Sequence, residues 1–339
     1  MQLTFTIPIT ILLFFTALPT LAEEIVINAV GDIMLAGRWS PVLKNKGYGF
    51  PFDGLRDELA KGDINLANLE SPIARSGKEF TTKKYRFRAE PELAQALYQA
   101  GFQLVTLANN HSMDFGDQAL FETMQNLESA GITWIGAGAN LAEARKMALF
   151  NVKGEKIAFL GYSLTQPVEF FANAQRPGTM PGWEKHVKAD IVRARKEADY
   201  VIVTFHWGTE GSSTARANQR SAAHKAIEAG ADAVIGHHPH VLQGVERYKN
   251  GIIFYSLGNF AFASTSKTAD VAAMVRLRLN GAQREAEILP LDVLHSRVRF
   301  QPQPLRGKRA EAVIRQLNQL SEPLGSSIET RGDRFYITF

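Results

Sequence analysis

The chain has 339 residues, 45% of them hydrophobic, which is enough to bury a full core and argues against disorder. With 38 Lys and Arg against 34 Asp and Glu it is only mildly basic, and no concentrated basic stripe or recognised module marks it as a nucleic-acid binder. The absence of cysteine excludes disulfides, thiolate metal sites and a lipoprotein anchor, so the core alone must hold the fold together.

The first element is an apolar stretch from Phe5 to Leu18, interrupted by Pro8, followed by Pro19 and then by the small-residue site Thr20-Leu21-Ala22. This pattern predicts a secretory signal peptide over 1–22, although no Lys or Arg precedes Arg38 to form a positive n-region. The stretch is shorter than the roughly 20 residues a spanning helix needs. The expected product is an exported protein of the periplasm, cell envelope or exterior, with no integral membrane span after cleavage.

Beyond the leader, Val- and Ile-rich runs alternate with stretches of helical period. Strands are predicted at 25–30, 64–69, 104–108, 133–135, 157–161, 200–205 and 233–235. Between them fall helices at 91–100, 117–130, 188–198 and 216–229, the first, second and fourth stopped by Gly101, Gly131 and Gly230. From Gly244 the rhythm changes to hairpins, with Asn250-Gly251 joining 245–248 to 252–257 and Asn280-Gly281 joining 272–279 to 282–289. One helix near 310–320 completes the pattern. The expected fold class is α/β with a mainly parallel sheet, as one domain over 23–262 and a β-rich extension over 263–339 packed on it.

Polar residues of metal-ligating type recur where these strands end: Asp32 after 25–30, Asn110 and His111 after 104–108, His206 after 200–205, and His238 and His240 after 233–235. In an open α/β sheet such positions converge at the carboxyl edge, where ligands bind. Asp32, Glu70, Asn110, His206, His238 and His240 combine hard oxygens with imidazoles, a set suited to Mn, Fe, Co or Zn. One or two divalent ions are expected; a pair about 4 Å apart would activate water and stabilise the leaving oxygen of a displacement. Nucleotide cradles and serine nucleophile elbows are excluded, because GxGxxG, GxxxxGKS/T and GxSxG are all missing. His186, His224 and His295 read as ordinary hydrogen-bonded histidines.

Several longer motifs carry a resemblance: GDIML at 31–35, NLESP at 68–72, GFQLVTLANNHSMDFG at 101–116, GITWIGAG at 131–138, HWGTE at 206–210, GADAVIGHHPHVLQG at 230–244 and SLGNF at 256–260. In order and spacing they resemble the CapA-type poly-γ-glutamate capsule proteins, whose fold is similar to that of calcineurin-like metallophosphoesterases. The resemblance implies a layered metallophosphoesterase-like α/β fold. It also implies Asp32 as first carboxylate ligand, Glu70 as metal-bridging acid, Asn110 as ligand, His111 as general acid, His206 and His238 on one metal and His240 on the other. His237 falls at a variable position of the pattern. Two departures stand out: Met34 replaces the histidine of Asp-x-His, and Glu70 replaces an aspartate.

The resemblance further implies a part in synthesis, export or anchoring of an anionic surface polymer such as poly-γ-glutamate, with capsule synthesis or export proteins as partners. Three readings stay open: a metal-dependent hydrolase of phosphoester, γ-glutamyl or cell-wall amide bonds, a noncatalytic export component, and a polyanion-binding protein. Lys84, Arg86 and Arg88 alternate with Tyr85 and Phe87, so on an extended strand they would present three cations to one side and hold an anionic polymer or phosphorylated substrate. Glu210 and Asn259 are further candidate substrate-pocket residues.

Overall fold

The computed structural model describes residues 23–37, 40–264, 266–281 and 283–339, so the leader lies outside the described residues. Two sheets are stacked at the centre. The larger runs from Glu329–Arg331 through Arg334–Thr338, Gln283–Asp292, Val271–Asn280, Ile25–Met34, Ile64–Leu69 and Leu104–Thr106 to Thr133–Ile135. The last four of these strands are parallel, as expected, while Val271–Asn280 lies antiparallel beside Ile25–Met34. The smaller sheet has the order Val245–Tyr248, Gly251–Phe254, Ala233–His237, Tyr200–His206, Glu155–Ser163 and Ala148–Val152.

The two sheets share a core. Ile25, Ile27, Ile64 and Leu66 of one pack in a single cluster with Ile157, Phe159, Ile202, Ile235 and Ile252 of the other. Apolar side chains on both faces of these strands explain the near-continuous Val and Ile runs, since each sheet is covered on both sides. A second core joins the outer face of the larger sheet to helices Glu92–Gln99 and Gly116–Ala130, and a third joins the smaller sheet to helices Glu184–Glu197 and Ala217–Ala229. The result is a helix, sheet, sheet, helix layering.

Most sequence expectations are met within a few residues. The third helix begins at Glu184 rather than Lys188, and the carboxyl-terminal helix runs Gly307–Ser321. Gly131 and Gly230 adopt the left-handed conformation at their helix ends. The single sheet expected from the strand pattern is instead two. The hairpin Val271–Asn280/Gln283–Asp292 extends the larger sheet beside its first strand.

Candidate metal centre

Asp32 owes its position to a shift of register between Ile25–Met34 and Ile64–Leu69, which falls between Ala29 and Asp32. A bulge of this kind re-aims a side chain. The preceding Gly31 is needed because a Cβ there would collide with the carbonyl oxygen of Gly258. Glu70 follows the end of the neighbouring strand, tied by its N–H to the Ile33 carbonyl at 2.8 Å. His206 is the last residue of Tyr200–His206, and His238 begins the turn after Ala233–His237. In that turn His238 and His240 both have positive φ, 96° and 59°. Left-handed conformation in non-glycine residues costs on the order of 1–3 kcal/mol each and persists where the surroundings impose it.

The side chains converge. The Asp32 carboxylate accepts from Asn68 Nδ2 at 2.8 Å and lies 3.1 Å from His240 Nδ1 and 3.2 Å from His237 Nδ1. Glu70 Oε1 stands 3.5 Å from His206 Nε2 and 3.7 Å from His240 Nε2. Asn110 Oδ1 lies 2.8 Å from His206 Nε2, and the rings of His206 and His238 are 4.7 Å apart. Two of the groups whose ligand atoms lie mutually within 4.8 Å are Glu70 with His206 and His238, and Asp32 with Glu70 and His240. Glu70 belongs to both, as a bridging acid must.

These residues fit a cation. Glu70 Oε1 and His238 Nδ1 are buried without a hydrogen-bond partner, a costly arrangement that a metal bond relieves. For bonds of about 2.0–2.1 Å, tetrahedral ligand edges are roughly 3.3 Å. The Glu70 to histidine separations of 3.5 and 3.7 Å are close to that edge. Asn259 Oδ1 lies 2.9 Å from His240 Nδ1, and orienting contacts of this kind hold metal-ligating rings in place.

Burial dominates the electrostatics, and neighbours then split the groups. Burial opposes ionisation of Asp32, but the rings of His237 and His240 outweigh it and hold the carboxyl well below its ordinary value. Burial, with the Asp32 charge beside it, pushes Glu70 well above. Burial also drives His206 well down and His238 down to about 3. His240 is the exception: burial lowers it, yet Glu70 and Asp32 raise it to about 9.

His111 sits beside this cluster as a buried ring with its own supports. Its Nδ1 lies 2.6 Å from Asp114 Oδ2 and 3.0 Å from Lys83 Nζ, and Phe87 packs on it at 4.7 Å between ring centroids. Lys83 also reaches Asp114 Oδ1 at 2.7 Å and donates to the Asn110 carbonyl. Burial lowers the His111 pKa, against the pull of Asp114. Asn109 makes a local turn: its Oδ1 accepts from the His111 and Ser112 N–H groups, while its Nδ2 donates to Asn68 Oδ1. Asn68 then bonds Asp32 and Glu70, so one amide chain ties the two sides of the site together.

A cavity of about 320 Å³ opens onto the cluster, lined by Met34, Tyr85, Phe87, His111, Glu210, His240 and Phe262 among others. A larger cavity, about 430 Å³, lies between helices Glu184–Glu197 and Ala217–Ala229 and contains none of the ligating residues. The chemistry selects the smaller one. Glu210 and Asn259 are both brought to the site, the first on the cavity wall and the second against His240. Residues 84–88 form no strand. Tyr85 and Phe87 line the cavity, whereas Arg86 pairs with Glu79 at 2.7 Å and Arg88 lies 4.3 Å over the Phe115 ring. Lys84 is exposed beside Tyr85.

Sequence reasoning missed Asn68, Lys83 and Asp114, and set His237 aside as a variable position although its Nδ1 lies 3.2 Å from Asp32. Asp114 had a usable signal, standing three residues after His111 within the NNHSMD run; Lys83, in a loop without a motif, had none. Trp207 of the HWG motif is structural: it is fully buried, stacks on Phe205 at 4.6 Å and donates to the Tyr255 carbonyl.

Paired sheets flanked by helices give a metallophosphoesterase-like layered fold, and carboxylates, an asparagine and histidines converge at one of its edges. A structural relative is the crystal structure of a candidate 5′-nucleotidase from Staphylococcus aureus in complex with α-ketoglutarate, with a TM-score of 0.50 at 16% identity over 88% of this chain. The chain spans only 58% of that structure, and the likeness concerns the fold. The match that places the chain is at the level of sequence: residues 26–264 fit the model of the bacterial capsule synthesis protein PGA_cap, and the chain belongs to that family. It is 32% identical to the capsule biosynthesis protein CapA of Bacillus anthracis over 80% of this chain and 68% of that protein. The PGA biosynthesis protein CapA of Bacillus subtilis is also 32% identical, over 86% of this chain and 77% of its own length.

Proposed function

We propose that this protein is an exported, metal-dependent hydrolase acting in the biosynthesis or export of an anionic surface polymer of the poly-γ-glutamate kind. The observation that carries the reading is His111. A cation held for stability alone needs ligands and their supports, not an additional buried imidazole with a carboxylate on one nitrogen and a cavity beside it. Asp114, at 2.6 Å from Nδ1, orients the ring and offsets part of the lowering of its pKa by burial, leaving Nε2 as the nitrogen for the cavity. His111 then delivers a proton to the departing atom of the scissile bond, the role of a general acid.

Asp32, Glu70, Asn110, His206, His238 and His240 would hold one or two cations of the Mn, Fe, Co or Zn type. When bound, such a cation polarises the scissile group and makes water nucleophilic at neutral pH. Tyr85, Phe87 and Phe262 form the apolar part of the cavity and restrict water. Lys84, exposed beside Tyr85 of the cavity wall, attracts the polymer's carboxylates or a phosphate, with capsule synthesis or export proteins as partners. No helix among the described residues is long and apolar enough to cross a membrane.

The test is a hydrolysis screen of the metal-loaded protein against phosphoesters, γ-glutamyl polymers and cell-wall amides. Turnover by the wild type, lost in His111→Ala with metal content intact, is the expected result. Metal binding without turnover on any of these substrates would favour the second reading, a noncatalytic, metal-stabilised component of the export machinery. Met34, where the phosphoesterase pattern has a ligand histidine, is the feature that favours that alternative.

A further inference from the structure

A third group of donors adjoins the two already described. Glu210, His238 and His240 have ligand atoms within 4.8 Å of one another. Glu210 lies on the loop between Tyr200–His206 and Ala217–Ala229, exposed to solvent and on the cavity wall with Met34, His111 and His240. The loop is fastened to the histidine turn, since the Gly211 N–H donates to the Pro239 carbonyl at 2.8 Å. Glu210 is therefore held beside His238 and His240.

Asp32, Glu70 and His240 together offer only three side-chain donors. Divalent cations of this class take four ligands or more, and with one position kept for the water of a hydrolytic site a five- or six-coordinate ion has room for a further side chain. The wall beside His240 carries Met34, buried and packed into the core, and a thioether is a poor ligand for Mn or Zn beside carboxylates. The unmet polarity lies next to it, in the buried Glu70 Oε1 and His238 Nδ1 without hydrogen-bond partners. We propose that Glu210 is a metal ligand, the carboxylate that completes coordination of the cation held by Asp32, Glu70 and His240. This rests on the metal-binding reading of the site. It moves Glu210 from the substrate pocket to the metal itself and gives the site back, from the loop side, the donor that Met34 does not supply.

The experiment titrates Mn(II) or Zn(II) into the metal-stripped full chain by calorimetry, with ions per chain counted independently. Wild type is compared with Glu210→Gln, Asp32→Asn and the double variant Glu210→Gln/Met34→His. Glu210 is exposed, so its substitution should leave the circular dichroism melt of the metal-free protein unchanged. The expected result is that Glu210→Gln weakens the same ion as Asp32→Asn by at least about tenfold, and that Met34→His restores part of the loss. Unchanged affinity and stoichiometry in Glu210→Gln overturn the assignment while leaving the metal reading intact. A wild type that binds no cation overturns the metal reading, and this proposal with it.

Discussion

His111 and His240 carry the sharpest expectations among single residues. Replacing His111 by alanine should reduce turnover by about 10²- to 10⁴-fold, the range for a positioned acid, with ion content unchanged. Asp114→Asn should act in the same direction but less, because it loosens the ring without removing it. His240, which burial lowers but the Glu70 and Asp32 carboxylates raise to about 9, holds a proton that a bound cation must displace. The sign follows: below pH 9 the metal-free His240 is protonated, the bound form needs it neutral, and apparent affinity therefore rises with pH. Each proton released steepens the dependence by about tenfold per pH unit. Calorimetry of metal binding between pH 6 and 8, in two buffers of different ionisation enthalpy, should report proton release; an affinity flat in pH would contradict the protonated state of metal-free His240.

Among the elements, the turn after Ala233–His237 decides whether the imidazoles meet the carboxylates. Gly236 lies where a Cβ would collide with the Tyr255 carbonyl and press on Trp207 Nε1. Gly236→Ala should therefore destabilise the protein by about 1–3 kcal/mol and disturb His238, seen as a lower denaturation midpoint with weakened metal binding. An unchanged midpoint would show that the turn yields freely. Much of this was legible in the sequence. The strand ends were readable because parallel strands buried on both faces give uninterrupted apolar runs, and the next polar residues then fall at the carboxyl edge. The mutual arrangement of the strands was not readable. Periodicity reports which face of a strand is apolar but not which sheet it joins, so two stacked sheets looked like one. The segment 84–88 misled for a related reason: alternation of cations with aromatics suggests a strand, yet no neighbour pairs with it, and Arg86 and Arg88 turn to Glu79 and Phe115. Lys83 was invisible because its partners, His111 and Asp114, are 28 and 31 residues away.

For the whole molecule, the carboxyl-terminal part belongs to the structure that supports the site. Val271–Asn280 pairs along Ile25–Met34, from Ile25 opposite Leu279 to Ala29 opposite Val275, and so braces the strand bearing Asp32. A chain ending at residue 262 leaves that edge bare and exposes apolar surface of the shared core against which Val275 and Leu277 pack, including Ile25 and Ile27. It should lose its cooperative unfolding transition; a truncated chain that melts sharply and still binds metal would show that the extension is dispensable. The charge balance makes a separate statement about substrates. With 38 basic against 34 acidic side chains, the attraction for a polyanion is local rather than global, so binding of a γ-glutamyl polymer should weaken with salt and fall further in Lys84→Gln.

The account of the site depends on a divalent cation held among Asp32, Glu70, Asn110, His206, His238 and His240. The most direct measurement is the number of metal ions per chain after loading with Mn or Zn and removal of excess by gel filtration, in the wild type and in His206→Ala and Asp32→Asn. The account predicts one or two ions in the wild type and a loss in each variant. A wild type with no ion above background, or variants that retain the full complement, would contradict it.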